Sequence, residues 1–97
     1  MTGGDSVIRR MSISRGEFFR TLPDALAEEV LAVHGDEVRI ETPGRRVVIR
    51  FREEPPLRIA SLTLPAALVE LRFEGYGEAE RAAAVERFDL YFRRGGG

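Results

Sequence analysis

The sequence lacks several residue types, and each absence excludes a class of chemistry. It has no cysteine, lysine, asparagine, glutamine or tryptophan, and its only histidine is His34. Without cysteine there is no disulfide, thiol nucleophile or thiolate metal site, and without lysine there is neither a Schiff base nor a P-loop. Because a single histidine supplies too few ligands for a transition metal, we expect no metal and no cofactor.

Long apolar runs are also absent. No stretch reaches the roughly 18 consecutive apolar residues of a membrane helix, and residues 1–10 have no apolar core of the kind found in signal peptides. We therefore expect a soluble, cytoplasmic protein without membrane contact. All 15 basic residues are arginine, which we attribute to a GC-rich coding sequence, as in many bacteria.

The size and composition predict one globular domain. At 97 residues with 43% hydrophobic residues, the chain can form a single two-layer core. Residues 1–6 and 95–97, which are small, polar or glycine-rich, are expected to be flexible ends. The net charge of -1 lacks the basic excess of a nucleic-acid-binding protein, so nucleic acid is not an expected partner.

Residues 37–51 carry the clearest structural signal, two alternating runs on either side of Pro43 and Gly44. Such a pattern predicts a β-hairpin with Pro43 and Gly44 at the centre of the turn. The register that follows pairs apolar side chains on one face and opposite charges on the other. The predicted pairs are Thr42 with Arg45, Glu41 with Arg46, Ile40 with Val47, Val38 with Ile49, and Glu37 with Arg50.

Helix signals lie on both sides of the hairpin. Ser14 followed by Glu17 is a capping box, which predicts a helix that is kinked near Thr21 and continues to about Val33. Leu26, Val30 and Val33 would form its buried stripe, and Gly35 would adopt a left-handed conformation past its end. A second helix is predicted from about residue 78 to residue 94.

The remaining segments read as strands. We predict a first strand at residues 7–13, in which Arg9 breaks the apolar alternation, and two later strands at residues 57–64 and 68–74. Residues 53–56, which end in two prolines, are expected to interrupt the sheet. The order β-α-β-β-β-β-α indicates an α+β domain with both helices on one face of an antiparallel sheet. This order resembles one repeat of the TATA-box-binding-protein-like fold in topology alone, which implies nothing about DNA.

Three further patterns suggest chemistry, and each has a structural explanation that we prefer. Residues 75–80 partly match a dinucleotide-binding fingerprint, but Glu78 and Glu80 would face the pyrophosphate. His34 is expected to lie at a helix C-terminus, where the dipole favours a cation. Arginines on the outer sheet face could bind phosphate, but glutamates share that face and we expect the two to pair. The arginines are Arg46, Arg50, Arg52, Arg58 and Arg72, and the glutamates are Glu37, Glu41, Glu70 and Glu74.

Residues 93–97, Arg-Arg-Gly-Gly-Gly, resemble the tail of ubiquitin-like sulfur-carrier proteins. That resemblance implies adenylation of a free Gly-Gly end. In those proteins the tail leaves a strand of a β-grasp sheet, whereas here it follows a predicted helix. Helix capping by glycine and arginine explains the same residues.

The strand predicted at residues 57–64 is apolar on both faces. If Leu57 and Ile59 face the helices, the opposite set lies outside, and hairpin geometry would bring Val48 beside Leu62. An apolar strip with a charged rim is typical of a protein contact. The predicted interface residues are Val48, Ala60, Leu62, Leu64 and Leu68, with Leu90 of the last helix as a second exposed anchor.

Two functional hypotheses follow. The first is a non-enzymatic domain that acts through protein contact, as a homodimer formed by the outer sheet face or with another protein. The alternative is a ligand-binding module or enzyme with a pocket between sheet and helices. The polar groups that would line such a pocket are Arg9, His34, Tyr76 and Tyr91.

Overall fold

The structure, a computed structural model, describes residues 5–27 and 32–96. Its elements are β1 (Asp5–Met11), α1 (Arg15–Leu26), β2 (Ala32–His34), β3 (Glu37–Thr42), β4 (Arg45–Ile59), β5 (Leu62–Glu74) and α2 (Glu78–Gly96). The strands form one antiparallel sheet in the order β1-β5-β4-β3-β2. The α+β class is confirmed. The order β-α-β-β-β-β-α also occurs, but with different strands, because β2 was not predicted and residues 57–64 are divided between β4 and β5. The predictions for residues 1–4, Val30 and Gly97 lie outside the described residues.

The hairpin of β3 and β4 has the predicted register. All five predicted pairs are present, from Glu37 opposite Arg50 to Thr42 opposite Arg45. Gly44 has φ +83°, which suits the second central position of a type II turn after Pro43. Alternation and turn chemistry agree here, and the register follows from both.

Strands β4 and β5 are much longer than their neighbours. They pair with each other from Arg46 opposite Glu74 to Ile59 opposite Leu62. However, β3 covers β4 only as far as Arg50, and β1 covers β5 only from Ala67 onward. Residues 53–66 therefore form a two-stranded projection, which we call the hairpin arm, and the molecule measures 48 × 28 × 23 Å.

The hairpin arm contradicts two predictions. The sheet is not interrupted at residues 53–56, because pairing continues with a one-residue shift between Glu54 and Leu57. Pro55 and Pro56 lie in this bulge opposite Pro65, where no ladder donors are needed. The single strand predicted at residues 57–64 is wrong as well, since the chain reverses there between Ile59 and Leu62.

Helix α1 begins as predicted and ends early. The Glu17 N–H donates to Ser14 Oγ at 3.2 Å, which confirms the N-cap. The helix is continuous past Thr21 and Pro23 as far as Leu26. Ala27 then closes it in the left-handed conformation, at φ 58° and ψ 40°.

The early end of α1 changes the segment that follows it. Val33 lies in β2 and is 49% exposed, so it is not part of the predicted helical stripe. Gly35 does have a positive φ of +66°, but it lies in the turn between β2 and β3. Neither residue belongs to a helix.

Both helices cover one face of the sheet, and phenylalanine rings fill the space between them. The Phe18 ring lies 4.8 Å from that of Phe51 on β4 and 5.0 Å from that of Phe92 on α2. Phe18 and Phe88 have no exposed surface. The sheet residues of this core are Val38 on β3, Val47, Ile49 and Phe51 on β4, and Ala67, Val69, Leu71 and Phe73 on β5.

Candidate interaction surface

The outer face of the sheet, opposite the helices, is a lattice of paired charges where the strands lie side by side. Arg46 contacts Glu41 at 3.1 Å and Glu74 at 2.6 Å, so it bridges three strands. Arg50 contacts Glu37 at 3.1 Å. The predicted pairing of arginines with glutamates is therefore confirmed for these residues.

Glu37 is the most strongly paired carboxylate of this face. Hydrogen bonds from Arg39 and then Arg50 lower the pKa of Glu37, and desolvation offsets this only in part. Arg72 lies 3.9 Å from Glu70, which also accepts a hydrogen bond from Ser6 Oγ. Because most of these arginines already face carboxylates, the face is poorly suited to bind phosphate.

The hairpin arm presents a different surface. Leu57 lies opposite Leu64, and Ile59 lies opposite Leu62, so four aliphatic side chains share one face of the arm. Leu57, Ile59 and Leu62 are 52%, 57% and 61% exposed, and Leu64 is half-buried. We call this set the apolar arm face.

Strand alternation continues the apolar arm face into the outer face of the sheet. On β5, Val69, Leu71 and Phe73 point toward the helices and are buried. Leu62 and Leu64 are an odd number of residues away from these positions, so they lie on the opposite face. The outer surface is therefore charged over the body of the sheet and aliphatic along the arm.

The other side of the arm is polar. Arg58 lies opposite Thr63, and alternation places both on the face opposite Leu57 and Leu62. The prediction that Arg58 belongs to the outer arginine group is therefore wrong. Glu53 and Glu54 complete the charged residues of the arm, and among the described residues none of the three forms an ion pair.

The structure separates the predicted interface residues. Val48 is half-buried opposite Arg72, so the predicted contact between Val48 and Leu62 is wrong. Leu68 is half-buried beside Arg52, and Ala60 is exposed in the turn at the tip of the arm. Leu90 is 48% exposed on α2. Of the predicted set, only Leu62 and Leu64 belong to the apolar arm face.

Leu57 and Ile59 belong to the apolar arm face but were not among the predicted interface residues. The prediction that they face the helices is wrong, because it treated residues 57–64 as one strand. In the structure, a two-residue turn at Ala60 and Ser61 folds that segment on itself and pairs its aliphatic residues. Ser61 is a common turn residue, but Ala60, which has φ 55°, is not, so the sequence carried only a weak signal for this turn.

The four polar groups proposed for a pocket do not converge. Arg9 reaches from β1 to α2 and donates two hydrogen bonds of 2.9 Å to Asp89, which raise the pKa of Arg9 although burial lowers it. Tyr91 lies 3.5 Å from an Arg87 nitrogen, and Tyr76 lies beneath Arg45. His34 is exposed on β2 opposite Glu37, not at a helix end, which corrects its predicted setting.

Two clefts have enough volume for a small ligand, but their polar side chains do not form a site. A cleft of about 310 Å³ lies where α1 ends near α2, but Arg45 is paired there with Glu80 and Arg87 donates to the Asp24 carbonyl. A cleft of about 540 Å³ on the outer face is lined by both acidic and basic side chains. Within residues 5–27 and 32–96, no group of three potential metal ligands and no unsatisfied buried polar side chain occurs.

In the glycine-rich turn before α2, a side chain of the helix already binds the free backbone N–H. Gly77 N–H donates to the Glu80 carboxylate at 3.0 Å, and Gly77 O accepts from Arg81 N–H at 2.9 Å. Glu80 thus fills the position where a phosphate would approach the helix, in the manner of a capping box. Residues 75–80, which partly match a dinucleotide-binding fingerprint, are therefore the capped start of α2.

Comparison with known proteins adds no identification. No known family model matches the chain, and no curated protein is significantly similar to it. Among the helices in the described part of the chain, none has the length and apolar character needed to cross a membrane. The most distinctive surface of the described residues is the apolar arm face.

Proposed function

We propose that this protein is a non-enzymatic contact domain that forms a homodimer through its outer sheet face, with the apolar arm face as the apolar part of the contact. The observation that carries this proposal is the exposure of Leu57, Ile59 and Leu62, each more than half open to solvent on a projection with no covering layer. Aliphatic side chains grouped beside a charged surface are the usual composition of a protein contact.

The construction of the arm supports the same proposal. An isolated two-stranded hairpin is at best marginally stable in water, and it normally needs a third strand beside it or a helix packed on its apolar face. Here β3 pairs with β4 only over Arg45–Arg50, and β1 pairs with β5 no further than Ala67. The apolar arm face also points away from the helices. A second protein surface would supply the missing layer.

The charge of the arm argues against nucleic acid as the partner. Its charged residues are Glu53, Glu54 and Arg58, which sum to -1. An arm that follows a phosphate backbone needs a positive excess. The arm is therefore suited to another protein, and a second copy is the simplest one.

Sedimentation velocity tests the proposal. Wild-type protein is expected to sediment as a dimer at high micromolar concentration, and Leu62→Arg, which places a charge at the centre of the apolar arm face, is expected to be monomeric. We expect the dissociation constant to rise at least about 30-fold, the size of a central hot-spot residue of about 2 kcal/mol.

Thr63→Arg is the matched control for this experiment. Thr63 is exposed on the same strand, one residue away, and faces the other side of the arm. The same charge at Thr63 should leave the dimer intact. A wild type that remains monomeric at high concentration would refute the homodimer, and equal weakening by both variants would show that the apolar arm face is not the contact.

A further inference from the structure

We infer that the two copies are related by a twofold axis that runs parallel to β4 and β5, so that both arms point in the same direction and lie face to face. This inference rests on the homodimer proposed above and specifies its geometry. It follows from the residues that the β4–β5 register places side by side. No other pair of strands contributes to the apolar arm face.

A twofold axis parallel to the strands and midway between β4 and β5 places each residue of β4 over β5 of the second copy, in the same row. The cross-strand pair Leu57 and Leu64 would then stack on Leu64 and Leu57 of the second copy. Ile59 and Leu62 would stack in the same way. All four aliphatic side chains meet aliphatic side chains, as an isologous contact requires.

The charged rows are complementary under the same operation. Arg50 lies opposite Glu70 on the outer face, and Arg46 lies opposite Glu74. These two arginines of one copy would face glutamates of the other, and Arg72 would face Val48, so like charges do not meet. Between these rows and the arm, Arg52 would extend over Leu68 of the second copy, where its aliphatic stem can pack.

Reversing one copy end to end does not give this match. In that case the twofold axis is perpendicular to the strands. If it passes through the row of Glu54, this carboxylate faces its own symmetry mate and Leu62 lies over Glu70. If only the tips overlap, the four aliphatic side chains of the arm form the whole contact. That falls well short of the roughly 800 Å² per partner in a standard interface.

Pairing through the sheet edges is a third possibility, which leaves the arm unexplained. Both edge strands, β1 and β2, could extend the sheet into a second copy. The apolar arm face would remain open to solvent in that case. The parallel arrangement is the one that covers it and matches the charges.

Spin-label distance measurement on the full chain distinguishes these arrangements. Because the chain has no cysteine, a single introduced cysteine is labelled uniquely. Ser61→Cys labels the tip of the arm and Thr42→Cys labels the opposite end of the sheet, and both positions are exposed. Sedimentation of each labelled variant shows whether the label leaves the dimer intact.

In the parallel arrangement both label pairs should be close, at roughly 10–20 Å between backbones, given a sheet spacing of about 10 Å. In a reversed arrangement about Glu54, the Thr42 labels should be roughly 60 Å apart, since about nine residues separate them from the axis along the strand. A long Thr42 distance in an intact dimer would overturn the inference and leave the proposed function standing. A monomeric wild type would overturn both.

Discussion

The close approach of two turns at one end of the sheet allows a sharp stability prediction. Gly75 follows β5 with φ +78°, and a Cβ at this position would lie 2.1 Å from the backbone oxygen of Gly44. It would also lie 3.1 Å from the Gly44 carbonyl carbon and 3.2 Å from the Arg45 Cα. All three neighbours are backbone atoms, so no side chain can rotate away.

Two costs therefore add in Gly75→Ala. The left-handed conformation costs an alanine about 1–2 kcal/mol. Relieving the overlap requires backbone movement, and inserting a methyl group into a packed site typically costs a further 1–3 kcal/mol or so. We expect a loss of about 2–5 kcal/mol in the free energy of unfolding, a large part of the stability of a domain of this size.

Gly44→Ala is the matched control. Its φ is +83°, almost the same as that of Gly75, but a Cβ there meets nothing within 4 Å. It should lose only the conformational cost of about 1–2 kcal/mol. Equilibrium unfolding in urea, at one fixed protein concentration because a dimer links stability to concentration, gives both values. If the two variants lose the same stability within about 0.5 kcal/mol, a typical experimental uncertainty, the contact between the turns does not constrain the backbone.

Two other substitutions test single features of the structure. Ala27→Gly should stabilise the protein by about 1 kcal/mol in urea unfolding, because Ala27 holds a left-handed conformation that glycine adopts without strain. The control is Ala83→Gly on the exposed face of α2, which should destabilise the protein by about 0.5–1 kcal/mol. The pKa of Glu37 is lowered in the folded state, so its contribution exists above the unfolded pKa of about 4.3 and is lost as pH falls through the folded value. The stability difference between wild type and Glu37→Gln should thus be largest near pH 7 and decrease as the pH falls below about 4.3. Glu53→Gln is the control, at a glutamate that forms no ion pair within the described residues.

Local signals predicted the fold wherever the pattern and the turn chemistry agreed. The hairpin around Pro43 and Gly44 is the clearest case, since alternation fixes which side chains share a face and the turn fixes the register. The cap at Ser14 is another. Both depend on residues close together in sequence, and long-range packing does not change them.

Two of the errors have a common physical origin, which is positive φ at alanine. Ala27 and Ala60 are the two non-glycine residues with positive φ within the described ranges, and each changes the direction of the chain. One ends α1 early and the other forms the tip of the hairpin arm. Because alanine normally favours a helix and rarely adopts this conformation, its presence gave no reason to expect a reversal at either position.

The candidate surface was only partly predictable for the same reason. Exposure of Leu62 and Leu90 was expected from strand and helix periodicity, and both are exposed. Leu57 and Ile59 were assigned to the core because the turn at Ala60 was not recognised. Which residues share a surface depends on that turn and on the bulge before it. Pro55 and Pro56 indicated an irregularity there, but not that strand pairing resumes beyond it.

The prolines of the hairpin arm have a consequence for the behaviour of the free chain in a crowded solution. A projecting hairpin with open edges is a template on which other chains can add strands and start fibrils. Pro55 and Pro56 divide one open edge and Pro65 divides the other, so no uninterrupted stretch of either edge is longer than three residues, 57–59 or 62–64. The arm can thus offer its side chains to a partner while its backbone resists uncontrolled assembly.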